Sequence, residues 1–154
     1  MSNARDDQLR QRLLGRGLKL VALGDLRCDL AIAKGDLAQV QGIDNLAQAL
    51  AVAVATPLGG DVFNTDFGFD GLNALADETL PVLQRERVRI AIVQLLRKDA
   101  RVTRVVDVRL VDGRLDAPTT GAARQLDVRV VFEAISGDRL TLSAGNAGTR
   151  LTNG

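Results

Sequence analysis

The sequence predicts an α+β fold: two main helices packed on a small antiparallel sheet, with an N-terminal β-hairpin. Two stretches place apolar residues at helical spacing, Leu46, Ala49, Leu50, Ala53 and Val54 in one, Val88, Ala91, Ile92, Leu95 and Leu96 in the other. Beyond them Val106, Val108 and Leu110, then Leu126, Val128, Val130 and Phe132, alternate with charged residues at the two-residue period of half-buried strands. Near the start, Lys34-Gly35 separates two short segments, and Gly takes the positive φ of a tight hairpin turn at little cost.

In chain order, residues 1–27 read as a leader, in which Leu9, Leu13 and Leu14 suit one short amphipathic stretch of helix before Gly15 and Gly17. The domain proper is expected over 28–143, starting with hairpin strands at 29–33 and 36–40. Asp44 is placed to cap the first main helix, and Thr56-Pro57 ends it. Gln48 is nearly the only strongly polar residue from 46 to 55, so this helix should be enclosed on more than one side. Over 58–76, Phe63, Phe67 and Phe69 among four glycines suit a compact loop pinned by its rings to the core. Thr79 and Pro81 mark the second helix start, and Ile90 and Val93 lie off its main apolar face, as a second contact surface would. Strands are expected at 102–111, 125–135 and 139–143, the last two joined through Ser136-Gly137-Asp138. A long mobile loop is expected over 113–124, and 144–154 reads as a flexible tail.

With 154 residues, the chain is long enough for one domain that hides roughly 70% of its unfolded surface. Its hydrophobic residues include only four aromatic ones, all Phe, so the core must be aliphatic and rich in Ala. Twenty basic residues against nineteen acidic ones remove the bulk electrostatic case for binding nucleic acid or a membrane surface. The bases cluster at Arg5, Arg10, Arg12, Arg16 and Lys19 and again at Arg85, Arg87, Arg89, Arg97 and Lys98; solvated helix faces explain such runs more often than anion sites do. A lone Cys28 forms no internal disulfide and fits a reducing compartment, and no apolar run reaches the roughly 20 residues of a membrane span.

The chain has no histidine, which removes Ser-His and Cys-His pairs and imidazole metal sites together. No phosphate-binding glycine motif is present. The three Glu residues are poor candidates for glycoside cleavage: Glu86 lies between Arg85 and Arg87, Glu133 faces outward on a strand, and Glu78 precedes a helix start. The residues thus suggest no enzyme, no cofactor and no catalytic or metal site.

Asp29-Leu30-Ala31 with Lys34-Gly35-Asp36-Leu37, then Gly42-Ile43-Asp44-Asn45-Leu46-Ala47-Gln48-Ala49-Leu50, Thr56-Pro57-Leu58-Gly59-Gly60 and Asp66-Phe67-Gly68 follow one another in order. In that order and spacing they resemble the baseplate wedge, or sheath-initiator, family of contractile phage tails, tailocins and related injection systems, also called lysozyme-like tail proteins. The resemblance covers about residues 26–112. Family members carry Glu-Pro-Arg after the second helix; Asp99-Ala100-Arg101 stands there in this chain, keeping acid and base without the proline.

What the resemblance implies is a structural adaptor without hydrolase activity, present in multiple copies in a six-fold assembly. Its partners would be other wedge proteins, sheath subunits and the central spike or tube, with neither nucleic acid nor membrane among them. It would be assembled in the cytoplasm and then carried in the particle. Asp99, Arg101, Arg104, Ile90 and Val93 are the expected partner-binding residues, with Arg101 forking onto a carboxylate of a neighbouring subunit. The strands are expected to offer a sheet edge to a sheath arm, or the tail to serve as a donated strand. A small adaptor unrelated to tails is the alternative, and a cell-wall hydrolase the remotest one.

Overall fold

A computed structural model of the chain describes residues 4–24, 27–113, 116, 126–145 and 148–153. The architecture is α+β, with the expected helices and antiparallel strands and a hairpin near the start. The element order is α1 (Ala4–Leu14), β1 (Arg16–Leu18), β2 (Leu20–Gly24), β3 (Arg27–Leu30), β4 (Ile32–Ala33), β5 (Asp36–Leu37) and β6 (Gln39–Gln41), then α2 (Gly42–Ala55), α3 (Gly71–Asp77) and α4 (Pro81–Lys98). The strands β7 (Val102–Asp112), β8 (Leu126–Ala134), β9 (Arg139–Gly145) and β10 (Gly148–Asn153) follow.

The four C-terminal strands form one antiparallel sheet in the order β10-β9-β8-β7. On β8, Val128, Val130, Phe132 and Ala134 point into the core, and the residues between them point away. On β7 the simple alternation expected of Val106, Val108 and Leu110 fails at its first member: Val106 is exposed and Val105 packs on the core instead. Register shifts at Val102/Arg104 and Val105/Asp107 are the cause, because an extra residue at a bulge moves the following side chains to the opposite face.

Helices cover the inner face of this sheet. Leu46 and Leu50 from α2 and Val88, Ile92, Leu95 and Leu96 from α4 join Leu140 and Leu142 of β9 in one cluster. The apolar members of α2 and α4 are those their spacing picks out. Helix α2 touches α1, α4, β1, β6 and β10, as its enclosed composition requires. Its first residue is Gly42 with Gln41 as N-cap, so Asp44 lies inside the first turn and favours the positive end of the helix rather than capping it. Pro81 occupies the first turn of α4, with Leu80 at the N-cap.

The described part of the expected leader, residues 4–24 and 27, is built into the domain. Leu14 at the end of α1 has 0% exposure and belongs to the core, and β1 pairs with β6 across 16–18 and 39–41. From that two-stranded stem branch two hairpins, β2-β3 and β4-β5, the second turning at Lys34 (φ 53°) and Gly35 (φ 80°). At the branch point three backbone bonds close a ring: Lys19 N–H to Ala38 O, Ala38 N–H to Ala31 O and Ala31 N–H to Lys19 O, each 2.8 Å. The expected hairpin is therefore one arm of a three-way junction.

Two further expectations change. Within the expected tail 144–154, residues 148–153 are not free: β10 pairs with β9 from Gly148↔Gly145 to Asn153↔Leu140, and Leu151 packs on the core. Phe69 is buried and Phe67 half-buried, but Phe63 is fully exposed, so only two of the three rings pin the 58–76 segment, part of which is helix α3. Most of the loop expected over 113–124 lies outside the described residues.

Because Leu14 fills the core from the first helix, Leu14→Ala should destabilise the whole domain by about 2–5 kcal/mol. Urea unfolding followed by circular dichroism measures it; a change under about 0.5 kcal/mol would show α1 to be dispensable.

Candidate functional site: the motif cluster and its cleft

Helix α2 carries two side-chain amides that act on the backbone of the preceding segment. Asn45 Nδ2 donates to Leu14 O at 2.9 Å, taking up a carbonyl that the end of α1 leaves unpaired. Gln48 behaves as a piece of strand: its Oε1 accepts the Leu20 N–H at 2.7 Å while its Nε2 donates to Leu18 O at 2.7 Å. A Cβ on Gly17 would stand 2.8 Å from Asn45 Oδ1, so a larger residue there would push on the Asn45 amide. Leu46, between the two amides, and Leu50, just after them, are buried. The Asn-Leu-x-Gln-Ala-Leu segment thus alternates core anchors with clasps.

The next two motif segments hold each other. Pro57 and Phe69 form a parallel bridge, with Phe69 N–H donating to Thr56 O at 2.8 Å and Leu58 N–H to Phe69 O at 3.3 Å. Gly68 sits at φ 113°, and a Cβ there would meet Pro57 O at 2.6 Å, which accounts for glycine after Phe67.

At the end of α4 the Arg101 side chain forks onto Asp99, Nε to Oδ1 at 2.9 Å and Nη2 to Oδ2 at 2.6 Å, while its backbone N–H also donates to Oδ1. Arg101 Nη1 reaches Leu14 O at 3.4 Å, the carbonyl that Asn45 holds. Burial pushes the Asp99 carboxyl up, but the Arg101 fork, its backbone N–H and its charge together outweigh this and hold it below the ordinary value of 3.8. Where a fork onto a carboxylate of a neighbouring subunit is expected of Arg101, the fork seen is instead to Asp99 of its own chain. Across the domain, Arg10 of α1 forks onto Asp138 in the β8-β9 turn, Nε to Oδ2 at 2.9 Å and Nη2 to Oδ1 at 2.7 Å, and Ser136 Oγ donates to the same carboxylate. Arg10 is the main reason Asp138 too is held below 3.8.

Between α2, the 64–68 loop and the end of α4 lies a cleft of about 350 Å³. Ala49, Ala53, Phe67 and Leu95 give it apolar walls, and Asp99 and Arg101 are among its polar lining. Three of the separated sequence segments that resemble the wedge family, those ending at Leu50, Gly68 and Arg101, meet there.

The five expected partner-binding residues do not gather. Asp99 and Arg101 adjoin the cleft. Arg104 lies on the sheet face away from the helices, forked onto Glu133 with both bonds at 2.8 Å. Ile90 is 55% exposed on the outer side of α4, but Val93 is half-buried and packs on the core, so the pair does not form a second contact surface. Gln48 stands out in the sequence as a polar residue in an apolar helix and Asn45 only as part of the motif, although nothing local tells which backbone groups they meet. Arg10 and Asp138, 128 positions apart, left no local signal.

No family model matches the chain, and no curated protein matches it significantly. Among the described residues, no helix is long and apolar enough to cross a membrane.

Arg101→Lys keeps the charge but cannot fork, so it should lower the stability of the isolated chain by about 1–3 kcal/mol in urea unfolding. Unchanged stability would return Arg101 to a purely intermolecular role. Because both carboxyls are held below 3.8, their contribution is full above about pH 5 and lost as pH falls through their folded values. Asp99→Asn with Asp138→Asn should flatten the fall of the urea midpoint below pH 4; an unchanged acid limb would refute the assignment.

Proposed function

We propose that this chain is a structural baseplate wedge component of a contractile tail or injection system, which docks on other wedge subunits and templates the first sheath ring. The observation that carries the reading is that the separated motif segments are drawn together, partly on residues 14–20, which lie outside the resemblance. Asn45 and Gln48 clasp residues 14–20, Thr56-Pro57 bonds to Phe69, and Arg101 reaches the carbonyl that Asn45 holds. Segments whose order and spacing resemble the family thus have a common physical reason to occur together, namely one fold.

The sheet supplies a means of templating. Its two outer strands are β7 and β10, and no described strand pairs with the outer side of either. Strand β7 has two register shifts and carries Arg104, Asp107 and Arg109, devices that blunt an edge against pairing. Strand β10 runs without a shift over six residues, from Gly148 to Asn153. An extended arm of a sheath subunit adds to β10 through main-chain hydrogen bonds, with alternate side chains setting the register. The C-terminal segment then receives a strand rather than being the donated one.

The test is a proline scan over Thr149, Arg150, Leu151 and Thr152 in the producing cell, with particles imaged by electron microscopy. Alternate positions send their N–H outward, so one parity should stop sheath assembly while leaving the fold intact, and the other should unpair β10 from β9. Extended sheaths of normal length on every variant would sink the β10 docking model, and particles complete without this chain would sink the wedge reading itself.

A further inference from the structure

Phe63 is the most exposed large apolar side chain among the described residues, at 101% of its reference area, and the adjacent Val62 stands at 85%. The turn that presents them is closely bonded. Phe63 N–H donates to Asp61 Oδ1 at 2.9 Å, Asn64 N–H to Asp61 O at 3.2 Å, and Phe67 N–H to Asn64 O at 3.0 Å. These bonds hold the backbone that carries the ring, so the position of the projection is set before any contact is made.

Beside it is a recess of matching character. The cleft between α2, the 64–68 loop and α4 has apolar walls and, at about 350 Å³, has room for a phenyl ring. Two other clefts, around α1, are lined mainly by Gln, Arg and Asp side chains, which would lose water against a ring without gaining a partner. Asn64, next to Phe63 in the chain, lies on the rim of the apolar cleft, so projection and recess share one patch. A patch that carries both is complementary to itself about a two-fold axis.

We infer that two copies of this chain associate about a two-fold axis, each inserting Phe63 into the apolar cleft of the other. This stands apart from the wedge reading, since it concerns the purified chain alone. Sedimentation velocity over a concentration series should show a monomer–dimer equilibrium. Phe63→Ser, at a fully exposed site, should weaken it roughly tenfold or more with unchanged circular dichroism. Ala100→Arg, exposed at the cleft, should do the same from the receiving side. Mixing the two variants should restore part of the dimer, because the Ala100→Arg copy retains its ring and the Phe63→Ser copy an open cleft. A monomer at every concentration would overturn the inference. So would a dimer indifferent to either substitution, open-ended oligomers sensitive to Phe63, or mixed variants that stay monomeric.

Discussion

The carbonyl of Leu14 is the point on which the fold turns. It belongs to the last residue of α1, where a helix leaves its carbonyls without partners, and it accepts bonds from Asn45 of α2 and Arg101 just past α4. One oxygen thus joins the first helix to both main helices. The Leu14 side chain fills the core while its backbone is held from above, and Gly15, at φ 74°, turns the chain directly into β1. Gly42 N–H then bonds back to Gly15 O at 3.0 Å, so the segment that enters α2 starts beside the segment that leaves α1.

The domain has few aromatic residues, and its elements are oriented by side-chain amides that reach backbone groups. Each such bond contributes only about 0.5–1.5 kcal/mol, yet an unpaired carbonyl in the same place would cost more. Gln84 repeats the device between α3 and α4, donating through Nε2 to Leu75 O at 3.0 Å. Orientation in this protein is set by amides and forks, and cohesion by Leu, Ile and Val.

The elements with a clean period were legible in the sequence. Strand β8 alternates without interruption, and the apolar residues of α4 fall at helical spacing, because in both cases one face meets one neighbour. Legibility failed where partners are far away in the chain. The role of α1 depends on α2 and α4, the parity of β7 on bulges that only its pairing with β8 defines, and β10 on a ladder with β9. Of the expected site, Asp99 and Arg101 did come together, because two residues of separation put both in reach of one turn. Arg104, Ile90 and Val93 scattered, since each sits on a different face.

The ring of three backbone bonds at Lys19, Ala31 and Ala38 gives the N-terminal arm an architectural freedom. A closed node satisfies its own donors and acceptors, and of the two hairpins beyond it β2-β3 is also tied to α2, through the Leu20 N–H on Gln48. The β4-β5 finger can be lengthened, shortened or exchanged at its tip while the stem on α2 keeps its register. Such a region can follow a changing neighbour without asking the core to be redesigned.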